Sequence, residues 1–462
     1  MLNAVGNEFG RSVRTIFCRH RSALLVAAAW ATMFYPQIAK SAQVTLDGTN
    51  KVNWNINGIT INGKTTNKLA EIVPNATVPN SISTPAASLM GAINKYAATP
   101  NDANKADLDN LMGAFNEAAA ALKSTNSTAK GVPTIIFNDE TTLTATTNTA
   151  DQRLIVLENK GLLVNIAENV VVTISGNNFR GQGTPQKDCD PANTSRKGCG
   201  GALYVDKGAV FIQRGKGKLV FSNNSSTNDG AGLFNFGTSS FDTGTTFIKN
   251  VNTTWGGALN NSNNGAVLFG DSANFTENRS LRGGAFRNEG SMLFADNATF
   301  DKNTAIQMGG AIYNINGGRI VFGDGTTFTG NSVETTADNG SSIFNGGAIY
   351  NDGLVVFNGS STFDANTTKT DAGAIYNNGT MTFNKYTGFS NNKAAGRGGA
   401  IYNSGTMTFN NSVSFSNNSA GDRGGAIYNN STINIVTSLN DKATQFFGNT
   451  DSAGSNSIYF AM

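Results

Sequence analysis

Residues 398–403 have the sequence GGAIYN, and this hexapeptide decides the fold because it recurs throughout the second half of the chain. Five close copies and four looser ones are separated by 30, 26, 27, 26, 37, 26, 26 and 26 residues. They are centred on Ala202, Gly232, Ala258, Ala285, Ala311, Ala348, Ala374, Ala400 and Ala426. Such a period indicates one small structural unit stacked many times.

A second motif follows the hexapeptide in successive repeats: Phe, five residues, Phe, two residues, Asn. Its copies are Phe241/Phe247/Asn250, Phe269/Phe275/Asn278, Phe294/Phe300/Asn303, Phe322/Phe328/Asn331, Phe357/Phe363/Asn366, Phe383/Phe389/Asn392 and Phe409/Phe415/Asn418. Short runs around each Phe supply a second and a third strand, and Gly residues mark the turns between them.

The hexapeptide alternates between inward and outward positions. The residue after Ala is always apolar and should face inward, whereas the next position includes Asn260 and Arg287, which are costly in a dry core. This period of two is typical of a strand. The third position faces inward again and is Asn in eight consecutive repeats, which predicts a hydrogen-bonded amide ladder along the stack. Its members are Asn235, Asn261, Asn288, Asn314, Asn351, Asn377, Asn403 and Asn429.

Three short strands and three turns in about 26 residues predict one coil of a parallel β-helix, so the fold class is all-β. Each coil should lie about 4.8 Å above the last. Two columns of stacked Phe and one of Ile or Leu would fill the interior. A β-propeller is disfavoured because each blade needs about 40–45 residues.

The N-terminus has the pattern of an export signal, predicted over residues 1–41. Residues 11–21 are basic, residues 23–33 are apolar, and residues 39–41 offer a cleavage site. The apolar run is well short of the roughly 18 residues of a membrane span. Without residues 1–41 the chain keeps 29 basic and 30 acidic residues, so no basic field remains to attract nucleic acid.

Cysteine and histidine usage limits the possible chemistry. Beyond the signal the chain keeps only Cys189 and Cys199, which bracket a polar loop and are predicted to form a disulfide in an oxidising compartment. The single histidine, His20, lies within the predicted signal. Composition therefore excludes Ser-His-Asp and Cys-His catalysis in the exported chain, and no metal or other cofactor is expected.

Residues 42–130 lack the repeat and are predicted to form an N-terminal cap region with a helical hairpin, ahead of a β-helix domain over residues 131–462. Residues 88–96 and 107–123 have helical patterns. In the second, one face carries Leu108, Leu111, Met112, Phe115 and Ala119. The hairpin is either an insertion or a cap over the first coils, since the end of a β-helix is an open edge.

The pairing of GGA[I/L/V] with Phe-x-x-Asn over residues 200–449, behind a signal peptide, resembles the polymorphic outer membrane protein repeat of autotransporter passengers. The resemblance implies a right-handed parallel β-helix at the outer membrane surface or in the extracellular space. Such proteins usually act as adhesins, so it also implies a host or neighbouring cell-surface protein or glycan as partner. Family members end in a membrane β-barrel, which the residues up to Met462 do not contain. The resemblance therefore implies a missing or separate translocator.

Two patterns offer candidate sites beside the adhesin hypothesis. The outward residue of the hexapeptide is Tyr in five repeats and could form an exposed binding stripe, although Tyr also suits an exposed strand. The stripe contains Tyr313, Tyr350, Tyr376, Tyr402 and Tyr428.

The alternative hypothesis is a polysaccharide-active, pectate-lyase-like enzyme, because such chemistry uses paired carboxylates or Ca²⁺. Asp271, Asp296 and Asp324 occupy equivalent positions in three successive repeats and should form a carboxylate column. All three also lie in turn sequences, where Asp is common for backbone reasons. We therefore expect a non-enzymatic protein.

Overall fold

The nine repeats form about nine coils of an all-β parallel β-solenoid, which further strands extend at both ends. The computed structural model describes residues 51–56, 59–65, 70–73, 134–144, 154–157, 161–179, 200–315, 317–334, 346–435, 444–454 and 457–461. These residues contain β-strands and no helix. The predicted signal peptide, the two predicted helices at 88–96 and 107–123, and the predicted Cys189–Cys199 disulfide lie outside the described residues.

Each complete coil contributes one strand to each of three walls. Wall 1 holds the hexapeptide strands Ile155–Leu157, Leu203–Val205, Leu233–Asn235, Leu259–Asn261, Phe286–Asn288, Ile312–Asn314, Ile349–Asn351, Ile375–Asn377, Ile401–Asn403, Ile427–Asn429 and Ile458–Phe460. Wall 2 holds Thr134–Phe137, Gly161–Ile166, Val210–Arg214, Thr238–Phe241, Ala266–Phe269, Ser291–Phe294, Arg319–Phe322, Leu354–Phe357, Thr380–Phe383, Thr406–Phe409 and Thr432–Ile435. Wall 3 holds Thr141–Thr144, Val171–Ser175, Lys218–Ser222, Thr246–Ile248, Asn274–Thr276, Thr299–Asp301, Thr326–Thr329, Ser361–Asp364, Thr387–Ser390, Val413–Ser416 and Gln445–Phe447.

A fourth, shorter strand corrects the prediction of three strands per coil. These strands pair in parallel and are Asn178–Phe179, Ser225–Ser226, Val251–Asn252, Arg279–Arg282, Thr304–Met308, Ser332–Val333, Thr367–Thr368, Lys393–Ala394 and Ser419–Ala420. Most have two residues, which is too short for a period-two pattern to show in a sequence.

The coil length is close to the prediction. Most register steps on wall 1 are 26 or 27 residues, as from Ile375 to Ile401. Between Leu203 and Ile427, steps of 30 residues from Leu203 to Leu233 and of 37 from Ile312 to Ile349 raise the mean to about 28. The extra residues enter between strands, so the register within each wall is kept.

Antiparallel strands pair with the N-terminal edge of all three walls. Ile59–Thr65 pairs with Ile155–Leu157 on wall 1 and with Thr141–Thr144 on wall 3. Ala70–Val73 pairs with Thr134–Phe137 on wall 2. Lys51–Ile56 forms a hairpin with Ile59–Thr65. In the described part of the chain, the backbone edge of the first coils is therefore hydrogen-bonded to strands of opposite direction.

The interior is filled as predicted by two Phe columns and a column of Ile and Leu. Phe328 stacks between Phe300 and Phe363 of the adjacent coils, with ring centroids 4.6 and 4.8 Å apart. The two Phe columns meet edge to face, as Phe357 and Phe363 do at 5.6 Å and 76°. Such pairs add about 0.5–1.5 kcal/mol each beyond the burial of their area.

Two ladders of buried Asn side chains run along the stack. The predicted ladder on wall 1 is present: Asn377 donates from Nδ2 to Asn403 Oδ1 at 2.8 Å, and the same bond recurs from Asn235 to Asn429. The second ladder comes from the Asn of Phe-x-x-Asn. Its members are Asn177, Asn224, Asn250, Asn278, Asn303, Asn331, Asn366, Asn392, Asn418 and Asn449.

Candidate functional site

The outward position of the wall 1 strands forms one column along the solenoid, here called the outer column. In register order it contains Tyr204, Phe234, Asn260, Arg287, Tyr313, Tyr350, Tyr376, Tyr402, Tyr428 and Tyr459. The tyrosines from Tyr350 to Tyr428 belong to an apolar cluster separate from the interior core. The predicted direction of these side chains is therefore confirmed.

The prediction that the tyrosines form an exposed stripe is wrong. Tyr350, Tyr376, Tyr402 and Tyr428 expose only 7, 3, 5 and 7% of their surface, and Tyr313 is half-buried. The rings shield one another, because successive centroids from Tyr350 to Tyr428 lie 4.8–5.2 Å apart in stacked geometry. An outward direction thus did not imply exposure.

Side chains at the start of a hexapeptide, or in the turn before it, complete the cover of the tyrosines. Ala372 packs in the same cluster, and the Arg397 guanidinium lies 5.0 Å from the ring centroids of both Tyr402 and Tyr428. Asp371 holds this guanidinium in an ion pair at 2.8 Å. Burial raises the pKa of Tyr376 to about 12.

A polar cluster interrupts the aromatic outer column at Asn260 and Arg287, which expose 0 and 8% of their surface. The Arg287 guanidinium forms an ion pair with Glu289 and stacks 4.4 Å from the Trp255 ring centroid. It also donates from Nη1 to Asn260 Oδ1 at 3.4 Å. Asp229, itself 3% exposed, accepts a hydrogen bond from Thr254 Oγ1 at 2.8 Å.

Two donors of this cluster are buried without a hydrogen-bond partner among the described residues: Asn260 Nδ2 and Arg287 Nε. The sequence analysis expected both side chains to reach solvent, and the structure corrects that expectation. Burial also raises the pKa of Asp229 to about 6, although the Arg287 charge opposes the shift. An ionised Asp229 in this cluster therefore lowers the stability of the folded chain at neutral pH.

We expect Asp229 to make the chain less stable at pH 7 than at about pH 4. Its pKa is raised in the folded chain, so the folded state holds the proton more tightly than the unfolded state. The resulting stability is fully present below about pH 4 and is lost as the pH rises through 6, by up to about 3 kcal/mol. Urea unfolding between pH 4 and 7 should show this component in the wild type and not in Asp229→Asn. Exposed Asp422→Asn is the control, and equal pH slopes in all three proteins would contradict the prediction.

In the described chain, the carboxylate column holds neighbouring turns together by hydrogen bonds. The Asp296 N–H donates to Asp271 Oδ1 at 3.2 Å, and the Asp324 N–H donates to Asp296 Oδ1 at 2.8 Å. The Ser360 N–H continues the series on Asp324 at 2.8 Å. Partial burial raises the pKa of Asp271, and the neighbouring charges of Asp296 and Asp242 add to the shift. Each carboxylate thus fastens one turn to the next, which favours the turn interpretation over catalysis.

The described residues lack two features. They contain no group of three or more His, Cys, Asp or Glu side chains placed to hold a metal ion. They also contain no helix with the length and hydropathy needed to cross a membrane.

The amide ladder of the Phe-x-x-Asn motif was not predicted from the sequence, although the motif itself was recognised. The signal was available, because an Asn at one fixed position in successive coils implies the same stacking as the Asn of the hexapeptide. The roles of Arg397 and Asp229 were not predicted either, because neither residue belongs to a periodic pattern.

Comparison with known proteins identifies the repeat. Residues 297–315, 389–404 and 412–430 match the model of the Chlamydia polymorphic membrane protein repeat. Each matched segment contains an Asn of the second ladder followed by a GGAIYN hexapeptide. No curated protein and no solved structure was found to be similar to the chain.

Proposed function

Because the chain carries Chlamydia polymorphic membrane protein repeats, we propose that it is an exported surface protein whose solenoid acts as an adhesin or interaction rod. The observation that carries this proposal is the location of the three family matches on one continuous solenoid. The family is a surface-protein family associated with the outer membrane, which supports a cell-surface location in general terms. The proposed partner is a protein or glycan of a host or neighbouring cell.

The proposed winding is right-handed. Connections between parallel strands of one sheet are right-handed in about 98% of cases, and every wall of this solenoid is built from such connections. Ten coil spacings from Ile155 to Ile458 give a rod of roughly 48 Å. Such a rod can hold a contact surface away from its point of attachment.

We place the adhesive contact on the turn that carries Tyr386. This tyrosine is 46% exposed, unlike the buried tyrosines of the outer column. Beside it in sequence is Asn384, whose Oδ1 accepts a hydrogen bond from Asn410 Nδ2 at 2.9 Å. An exposed ring next to ordered amides suits contact with a protein or a sugar.

Adherence of beads coated with the exported chain to epithelial cells tests the proposal. Coated beads should bind well above beads carrying an unrelated protein, and soluble chain should compete. Treating the cells with protease or with glycosidases separates a protein partner from a glycan. Tyr386→Ala should lower adherence several-fold, whereas Tyr402→Phe, which keeps the buried ring, should not. Binding no better than that of the unrelated protein would sink the adhesin proposal.

We also propose that the chain is not an enzyme. The carboxylates of its carboxylate column are occupied in hydrogen bonds between turns. Incubation with pectin, glucans and glycosaminoglycans, with and without Ca²⁺, should give no turnover. Turnover that disappears in Asp296→Asn would instead support a polysaccharide-active enzyme.

A further inference from the structure

Wall 2 carries a column on its outer surface that is apolar except at Ser240, here called the wall 2 stripe. Its residues share one register position and expose at most 7% of their surface: Leu163, Ile212, Ser240, Leu268, Leu293, Val321 and Val356. The stripe faces outward, because it alternates with the inward side chains. Val267 and Phe269 belong to the interior core cluster, whereas Leu268 between them does not.

The same register position changes character in the later coils. Val356 is fully buried, but Thr382 and Thr408 are partly exposed and Asn434 is exposed. All these positions have the same wall geometry, so stacking within the wall does not explain the difference in burial. In the described part of the chain, the extensive contacts of wall 2 strands are with other strands of that wall. A cover from outside the wall accounts for the buried stripe, since apolar patches of this length are rarely left in water.

The dimensions and chemistry of the stripe fit a helix. From Leu163 to Val356 the stripe crosses six coil spacings, or roughly 29 Å. The neighbouring outward column contains Ala266 and Ser291, both buried, whose small side chains let another backbone approach closely. An elongated apolar strip beside small residues is a surface on which an amphipathic helix can lie along the solenoid axis.

The sequence offers one segment of matching length and pattern. Residues 107–123 are predicted to form a helix of 17 residues, which would be about 26 Å long. Its apolar face carries Leu108, Leu111, Met112 and Phe115. The opposite face carries Asn110, Gly113, Glu117 and Ala120.

We propose that residues 107–123 dock as a helix along the wall 2 stripe, with their apolar face on Leu268, Leu293 and Val321. The hairpin would then be a lateral cover of the rod and not a cap over its end. The stripe becomes an intramolecular docking surface, and its loss of apolar character after Val356 marks where the helix ends.

Amide hydrogen exchange of the full chain tests the docking. In the wild type, the amides of 107–123 should be protected. Leu293→Lys should lower that protection at least about tenfold and leave the ladder coils protected. Thr408→Lys, at the same register position beyond the stripe, is the matched control and should change nothing in 107–123. Phe115→Asp should reproduce the effect from the helix side without altering the wall, so the test survives if Leu293→Lys fails to fold.

If something other than residues 107–123 covers the wall 2 stripe, the exchange experiment gives a different result. Unprotected amides at 107–123 in the wild type, or protection that is unchanged by Leu293→Lys and Phe115→Asp, would overturn the proposal. A wild-type dimer that Leu293→Lys dissociates, with no change at 107–123, would assign the stripe to a second copy of the chain. Protection lost only at residues 335–345 in Leu293→Lys would assign it to that segment and also overturn the proposal. None of these results bears on adherence through Tyr386, so docking and adhesion can fail separately.

Discussion

Gly399→Ala is expected to destabilise the solenoid by about 4 kcal/mol or more, although it adds a single methyl group. A Cβ at Gly399 would overlap the Gly425 carbonyl oxygen and lie 2.7 Å from backbone atoms of Ser419. Both neighbours belong to the next coil, so relief requires the two coils to separate. The same overlap with the next coil's carbonyl recurs at Gly347 and Gly373. This contact explains the second glycine of the hexapeptide.

Gly388→Ala is the matched control for Gly399→Ala. The nearest atom to a Cβ at Gly388 is the Tyr386 hydroxyl oxygen at 3.6 Å, which is ordinary contact. Its stability should change by no more than about 0.5 kcal/mol. Circular dichroism during urea unfolding measures both variants. Equal unfolding midpoints would show that the coils can separate at little cost and would contradict the prediction.

Asn392→Ala is expected to cost about 3–5 kcal/mol because it removes one rung of the second ladder. Asn392 Oδ1 accepts the backbone N–H and the Nδ2 of Asn366, each at 3.0 Å. Its Nδ2 donates to Phe363 O and to Asn418 Oδ1, each at 2.9 Å. The substitution leaves several of these buried groups unpaired, at about 1–3 kcal/mol each.

Asn410→Ala is the control for Asn392→Ala. It shows whether the loss of stability depends on the burial of the amide or only on the loss of an amide hydrogen bond. Asn410 also bonds to an amide of the preceding coil, but it is exposed, and water can replace that bond. Its cost should stay below about 1 kcal/mol. Denaturant unfolding of the two variants decides the matter. A loss at Asn410 as large as at Asn392 would mean that the number of amide bonds, and not their burial, controls stability.

Much of the fold could be predicted because each position of the coil occurs in several copies, so that one atypical residue does not hide the pattern. Nine copies of one position showed that Ile401 faces inward and that Asn403 stacks on its equivalents. Two-residue strands such as Lys393–Ala394 have no periodic pattern, so the fourth strand of each coil went unseen. The coil and its stacking could therefore be predicted, but the short fourth strand of each coil could not.

The outer column was harder to predict, because burial outside a wall depends on side chains of neighbouring turns and adjacent coils. Tyr402 alternates correctly, yet its exposure is decided by Arg397 and by the tyrosines of adjacent coils. Asp229 and Arg287 are brought together only by the stacking of coils. Alternation therefore gives the direction of a side chain, and its neighbours in space give its environment.

Both Asn ladders point the same way along the rod, since the Nδ2 of each coil donates to the Oδ1 of the coil that follows it in the chain. Their amide dipoles add, as peptide dipoles do in a helix, and each bond polarises the next. A growing stack therefore presents amide donors at its C-terminal end, where the following coil supplies the acceptors. At the N-terminal end the stack presents amide oxygens instead, so the two ends of the rod differ in the hydrogen-bond partners that they can accept.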